Sequence, residues 1–449
     1  MMKETDILII GGGPAGIVAG TTARKNYPTK KITLVREKEE CVIPCGIPYI
    51  FNRLDSVEQD LMLDTSLEAN KIDLLISKAI EVDSNKKEVL LENNDKIIYE
   101  KLILSTGSSS SLIPIKNIEK EGVWYIKKDF EYLKKLREAV LKSENIVIIG
   151  GGFIGVELAE ELSSIKNLKI SIVERMESCL STTFDNEFTK IIEDSLKEKN
   201  IQLYINSNVE EIGGNNRVEY VKLEKEDIPA DLVIVSVGAK PNVNLAEKMN
   251  IEIGEYGGIK VDDYMKTNID NVFAIGDCAE TKCLLTNKIV PVMLASTACH
   301  EARIAAANLY EKNELLKSDG TLSVFSTSIY GMAIGIVGLS EKMCEKEKID
   351  IVVGESEAPN HHPGTLPNTK KIKIKLIFSK DSSRLLGGQI IGPESVGEMI
   401  NVVALAIQKK STIYNLDTLQ IASHPLLTSA PTVYPIIAAA QSALTKIQT

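Results

Sequence analysis

Short apolar runs that stop abruptly at glycines set the rhythm of the chain. Residues 6–10 (DILII) run straight into Gly11-Gly12-Gly13-Pro14-Ala15-Gly16. An unbroken apolar run bounded by turn residues predicts a strand buried on both faces. The stretch through Ala19, Ala23 and Arg24 predicts a helix after the turn, and residues 32–35 predict the next strand, with Glu37 just past its end. The order then repeats. Residues 145–149 (NIVII) predict a strand and Gly150-Gly151-Gly152-Phe153-Ile154-Gly155 the turn. Residues 156–162 begin a helix, and the strand at 170–173 ends in Glu174. Three further strands end at Thr106-Gly107, at Gly238 and at Gly276-Asp277. Beyond about residue 321 the period changes. Residues 371–378 (KIKIKLIF) alternate as a half-buried strand, 385–391 predict a second strand, and 396–408 predict an apolar-periodic helix. Residues 341–350 are charge-rich and expected to be solvated, and 358–367, with His361-His362 and three prolines, read as a loop.

Each glycine turn, in its strand–turn–helix–strand setting, is the dinucleotide-binding fingerprint. Gly11 and Gly150 permit the tight turn. Gly13 and Gly152 let a pyrophosphate approach the backbone, and Gly16 and Gly155 let helix and strand pack closely. The helix N-termini face the phosphates. Glu37 lies 26 residues after Gly11, and Glu174 lies 24 after Gly150, each placed to accept ribose hydroxyls. Two complete copies 139 residues apart imply two dinucleotides in one chain, hence electron transfer from an exchanging cofactor to a retained one. Glu174 favours NADH over NADPH, while the adjacent Arg175 leaves NADPH open. Asp277, beside Gly276, is placed for a ribityl or phosphate-linked hydroxyl.

The expected architecture is α/β. It has two Rossmann-like dinucleotide-binding domains, a discontinuous one at residues 1–112 and 246–320 and a second at 113–245, followed by an α+β domain at 321–449. The 449 residues carry a net charge of −10, which argues against nucleic acid as a partner. Four histidines and scattered cysteines give no metal-ligand spacing, so no metal is expected. No apolar run reaches 18 residues and residues 1–16 lack a signal-peptide pattern, so a cytoplasmic protein without membrane contact is expected.

The candidate chemistry lies in Cys41-Val42-Ile43-Pro44-Cys45-Gly46-Ile47-Pro48-Tyr49, just after the second strand. A cysteine at a helix start, with its backbone shaped by Gly46 and Pro48, suits a nucleophilic thiolate.

With these motifs the chain resembles the pyridine nucleotide-disulfide oxidoreductases over essentially its whole length. Within them it resembles the branch holding NADH oxidases, coenzyme A-disulfide reductases and NAD(P)H polysulfide reductases. The resemblance implies FAD held by Gly11, Gly13, Pro14, Ala15, Gly16, Glu37 and Asp277, with Thr106, Gly107 and Gly276 in the strand-end turns. It implies NADH or NADPH at Gly150, Gly152, Phe153, Ile154, Gly155 and Glu174, with Gly238 closing that fold and Glu157 beside the nicotinamide. The C-terminal domain implies a homodimer with sites completed across the interface. In that branch a Cys-Gly-x-Pro-Tyr stretch supplies a single redox cysteine, which matches Cys45. Cys41 stands where the branch usually has Ser, which leaves both a Cys41–Cys45 disulfide and a lone Cys45 open. NADH peroxidases carry a His in the first glycine turn, where this chain has Pro14. Disulfide reductases use a C-terminal His-Pro, here His424-Pro425, but lack of the orienting Glu leaves Ser429 near its place. Tyr434 matches by position an assisting tyrosine of coenzyme A-disulfide reductases. The implied acceptor is a small-molecule disulfide or polysulfide, with oxygen, reduced to water, as the alternative.

Overall fold

The computed structural model describes residues 2–310 and 315–448, so residues 311–314 of the second segment expected for the first nucleotide domain lie outside it. The chain divides into two compact units, one made of Met1–Pro114, Trp124–Lys142 and Val237–Thr321, the other of Ile115–Val123, Ser143–Ser236 and Leu322–Thr449.

The first unit is built on a seven-stranded sheet. Its parallel part runs Asp73–Ile76, Ile32–Arg36, Met2–Ile10, Lys96–Leu104, with Val272–Ala274 also alongside Lys96–Leu104. Register is set by Ile7 opposite Ile32 and Ile10 opposite Leu104. The central strands are apolar on both faces because both are covered, as a parallel sheet requires. The helix Pro14–Asn26 starts with Pro14 at its first position, where its missing N–H costs nothing, and carries Arg24 and Lys25 in its last turn. Its buried alanines, Ala15, Ala19 and Ala23, share a core with Ala298, Ala302 and Ala305 of the helix Ala295–Ala307, and small side chains on both let the helices lie close.

The second unit holds the second nucleotide sheet, with parallel strands in the order Gln202–Tyr204, Lys169–Val173, Asn145–Ile149, Leu232–Val235. Its other main layer is a five-stranded antiparallel sheet in the order Phe325–Ile329, Met332–Gly338, Leu385–Gly392, Lys371–Ser379, Ile351–Pro359. The helix Pro435–Gln448 lies flush on it: a Cβ on Gly354 would stand 1.9 Å from the carbonyl oxygen of Ala439.

The alternation of 371–378 ends at Lys375, from which both faces of the strand are buried. Lys375 should face water but is only 3% exposed. Its ammonium pairs with Asp185 (3.3 Å), Glu187 and Glu341, and Gln389 also donates to Asp185 at 2.5 Å. Glu341 opens the helix Glu341–Lys346, capped by Ser340, so this end of the charge-rich segment folds inward to neutralise Lys375 rather than lying in solvent. A buried ammonium needs such partners, because removing one leaves an uncompensated charge. The three carboxylates therefore serve an ammonium, not a metal.

Candidate dinucleotide and thiol sites

The two glycine turns are built alike. In the first, Gly11 has φ +121°, and a Cβ there would strike the Ser105 carbonyl oxygen at 2.0 Å. A Cβ on Gly16 would sit 1.9 Å from the Gly11 carbonyl oxygen, whereas one on Gly13 would meet nothing within 4 Å. The second turn repeats this: Gly150 has φ +107°, Gly155 would strike the Gly150 carbonyl oxygen at 1.9 Å, and Gly152 faces open space. Gly11 and Gly150 thus serve the turn, Gly16 and Gly155 the packing, and Gly13 and Gly152 leave a bare backbone at a helix N-terminus where a pyrophosphate fits. Pro14 and Ala15 begin the first helix, Phe153 and Ile154 the second. Ile154 is exposed, while Phe153 stacks on Phe325 with ring centroids 5.0 Å apart.

A serine locks each turn from behind. The Ser105 hydroxyl reaches the carbonyl oxygens of Ile10 (3.0 Å) and Gly11 (3.1 Å). The Ser236 hydroxyl reaches those of Ile149 (3.1 Å) and Gly150 (3.0 Å). Sequence reasoning missed both, although each is the serine that ends a third parallel strand, two residues before a glycine, in LILSTG and VIVSVG.

Around the first turn, Glu37 is exposed and pairs with Lys78 at 3.2 Å. Thr106 and Asn242 exchange two bonds: the Thr106 hydroxyl donates to the Asn242 carbonyl oxygen (2.6 Å), and the Asn242 amide donates to that of Thr106 (2.9 Å). Gly107 and Gly238 have positive φ with open space beside them, and Gly238 leads into Ala239–Pro241, which pairs with Ser108–Ser110 in the same unit. Gly276 packs against Ala15 and Ala298, which brings Asp277 next to the start of the fingerprint helix. Asp277 accepts from Ser108 (2.6 Å) and Lys128 (3.2 Å). Beneath it, buried Glu301 accepts the Gly276 N–H at 2.8 Å, and burial pushes its carboxyl up to about 8.

At the second turn, both carboxylate oxygens of Glu174 are engaged, one by the Gly151 N–H (2.6 Å) and one by the Met176 N–H (2.8 Å), leaving further lone pairs for a ribose. Glu157, one turn into the helix Phe153–Ser163, accepts the Thr327 hydroxyl at 2.6 Å. Burial raises its carboxyl above the usual range, Thr327 opposes that, and the neighbouring Glu160 and Glu161 add to it.

The thiol segment follows the second strand, Ile32–Arg36, of the first nucleotide sheet. Cys45 is exposed near the start of the 3₁₀ helix Pro44–Phe51, and Cys41 is half-buried. The Cys41 thiol points to the Gly12 carbonyl oxygen at 3.5 Å, and burial pushes its pKa above that of an ordinary thiol, partly offset by Arg36. None of the seven cysteines forms a disulfide. Under the segment, a Cβ on Gly46 would strike the Asp60 carboxylate at 1.8 Å.

His424 and Tyr434 belong to the second unit. His424 is exposed; its Nδ1 accepts the Leu426 N–H at 3.2 Å and its backbone N–H donates to the Thr428 hydroxyl at 3.1 Å. Ser429 is buried with its hydroxyl unpartnered, so it does not orient His424. Tyr434 is half-buried, and burial raises its phenol. Sequence reasoning passed over His362, whose N–H donates to the Pro425 carbonyl oxygen (3.0 Å) and whose ring meets the Thr428 carbonyl oxygen (3.0 Å). The adjacent pair His361-His362 in a proline loop was the available signal.

The family model described as pyridine nucleotide-disulphide oxidoreductase matches residues 5–302, and the dimerisation domain of the same family matches 324–433. This chain belongs to the pyridine nucleotide-disulphide oxidoreductase family. Its cofactors are FAD and NAD(P)H, and it carries the family's dimerisation domain. It is 32% identical over 426 residues to the NAD(P)H sulfur oxidoreductase (CoA-dependent) of Pyrococcus abyssi, covering 92% of each chain. It is 28% identical to an NADH oxidase of Methanocaldococcus jannaschii, covering 98% of this chain and 99% of the relative. Among solved structures, the NAD-dependent persulfide reductase from A. fulgidus superposes with a TM-score of 0.91 at 29% identity, over 99% of this chain and 84% of that one. Among the described residues, no helix is long and apolar enough to cross a membrane.

Proposed function

We propose that this chain uses NAD(P)H to reduce a low-molecular-weight disulfide, persulfide or polysulfide at Cys45. The observation that carries the reading is an exposed thiol near the start of a 3₁₀ helix, in the same unit as a glycine turn open to a pyrophosphate at Gly13. FAD, when bound, supplies the two-electron relay between nicotinamide and thiol chemistry. Gly11, Gly13, Gly16, Glu37, Thr106, Gly107, Gly276 and Asp277 hold it, and Gly150, Gly152, Gly155 and Glu174 hold NAD(P)H.

The chain's own step is thiol exchange. The Cys45 thiolate attacks one sulfur of RS–SR, forming Cys45–S–SR and releasing RS⁻. Two electrons from NAD(P)H then cleave the mixed disulfide, regenerating the Cys45 thiolate and a second thiolate. Overall NAD(P)H, one proton and RSSR give NAD(P)⁺ and two RSH. Cys41 is engaged at the Gly12 carbonyl, which favours Cys45 acting alone. In a homodimer, His424 and Tyr434 of one protomer serve the Cys45 site of the other, exchanging protons with the departing thiol. A reducing, cytoplasmic setting suits a thiol that must return to its reduced form after each turnover.

Oxygen is the second acceptor to consider, because relatives named NADH oxidase match across the chain. Two NADH, two protons and one O₂ then give two NAD⁺ and two water, with Cys45 cycling through a sulfenate.

Anaerobic titration with NADH and NADPH, followed by coenzyme A disulfide, polysulfide and oxygen in separate assays, tests the reading. Thiol or sulfide should form faster than water, and Cys45→Ser should abolish that turnover while flavin reduction survives. Oxygen turnover far above every disulfide would establish the oxidase reading instead.

A further inference from the structure

Asp60 ends the 3₁₀ turn Val57–Asp60 and is 2% exposed. Its segment lines the thiol segment at three points. The Asp60 carbonyl oxygen accepts the Ile43 N–H at 2.8 Å, Val42 bridges Leu61, and the Met62 N–H donates to the Cys41 carbonyl oxygen at 2.7 Å. The side chain then turns under Gly46. A Cβ there would stand 1.8 Å from Asp60 Oδ1 and 2.8 Å from its carboxyl carbon, so the carboxyl fills the space a side chain at position 46 would need. Asp60 therefore touches the chain on both sides of Cys45, through Ile43 and through Gly46.

Its other oxygen is buried and has no hydrogen-bond partner. The charged groups on the elements packed around it are committed elsewhere. On the helix Phe130–Leu141, Arg137 donates to the carbonyl oxygens of Ile50 and Asp55, both at 2.8 Å, and Lys134 pairs with Glu58 at 3.3 Å. Arg53 lies over the ring of Tyr49, on the cysteine's own helix. Burial, with no cation to oppose it, pushes the Asp60 carboxyl up to about 6. A buried carboxyl left unpaired works against folding, so it is a poor structural choice for merely filling the space under a glycine.

We propose that Asp60 is a positioning residue for Cys45: its carboxyl supports the Cys45–Gly46 backbone by contact, and its charge sets the pH at which the Cys45 thiol ionises. This rests on Cys45 being the reactive thiol. Above neutrality the ionised carboxylate holds back the thiolate; when Asp60 takes up a proton, that restraint is lifted. Proton occupancy of one buried group thus controls how nucleophilic the neighbouring thiol is near neutral pH.

The test is the rate of iodoacetamide alkylation at Cys45 against pH. It uses the flavin-loaded protein, reduced with dithiothreitol and desalted anaerobically, with the Cys45 peptide quantified by mass spectrometry. The wild-type profile should show a shoulder near pH 6. In Asp60→Asn the shoulder should vanish and the midpoint should fall by about half a pH unit or more. A wild-type profile with a single ionisation and no shoulder would overturn the proposal, and so would an unmoved midpoint in Asp60→Asn. If that variant does not fold, the wild-type shoulder decides alone. An intact flavoprotein in which Cys45 resists alkylation at every pH would overturn the reactive-thiol reading as well, which separates the two failures.

Discussion

The Glu157 carboxylate accepts the Thr327 hydroxyl at 2.6 Å, joining the second fingerprint helix to the first strand of the C-terminal sheet. Glu160 of the same helix accepts the Tyr330 N–H at 2.8 Å, and Phe153 stacks on Phe325. The second fingerprint helix is thus held by the sheet of the dimerisation domain, and its acidic face is met by that sheet's polar groups.

Thr327→Val should expose that dependence through pH. Burial already raises the Glu157 carboxyl, and the hydroxyl favours its charged form. Without the hydroxyl, the folded-state value rises further above the unfolded one. The extra destabilisation therefore accrues as pH climbs through the wild-type folded value, itself raised above 4.5, and is complete above the variant's. Denaturant midpoints should show a small loss at pH 5 and about 1–3 kcal/mol at pH 8. An equal loss at both would contradict this account.

The glycines of one turn should fail in different ways. Gly13→Ala has room for its methyl, so the fold should survive while bound flavin is lost to a clash with the phosphates. Gly16→Ala puts a methyl 1.9 Å from the Gly11 carbonyl oxygen and should unfold the unit. Gly152→Ala should keep flavin and weaken NADH. Circular dichroism, flavin absorbance and NADH titration of the three variants separate these outcomes.

Cys41→Ser should be mild. A serine hydroxyl still donates to the Gly12 carbonyl oxygen that the thiol faces at 3.5 Å. Disulfide turnover and flavin content should stay within about threefold of wild type, the scale of one neutral hydrogen bond. A loss as large as that of Cys45→Ser would instead reveal a working Cys41–Cys45 pair.

Glu301→Gln should stabilise the protein at alkaline pH. The buried carboxyl has a folded value of about 8, far above an unfolded glutamate. The unfolded chain ionises first, so wild-type stability drains away between about pH 4.5 and 8 and is flat above. The glutamine mimics the neutral acid and escapes that loss. Melting curves should coincide near pH 5 and separate by several degrees in favour of the variant at pH 8.5.

Residue order alone determined the two nucleotide folds, because a glycine turn between a buried strand and a small-residue helix has few other uses. The roles of Gly11, Gly13 and Gly16 followed from one local geometry, repeated at Gly150, Gly152 and Gly155. What only tertiary structure decided involves partners far apart in the chain. The Ser105 and Ser236 hydroxyls reach turns 94 and 86 residues away. Lys375 breaks its strand's alternation because Asp185, Glu187 and Glu341 converge on it. Asp60 arrives under Gly46 because the chain doubles back along the thiol segment, and Ser429, near His424 in sequence, turns into the core instead. Local pattern records backbone demands such as a turn or a buried strand. Which charge meets which depends on how separated segments pack, and no single segment carries that information.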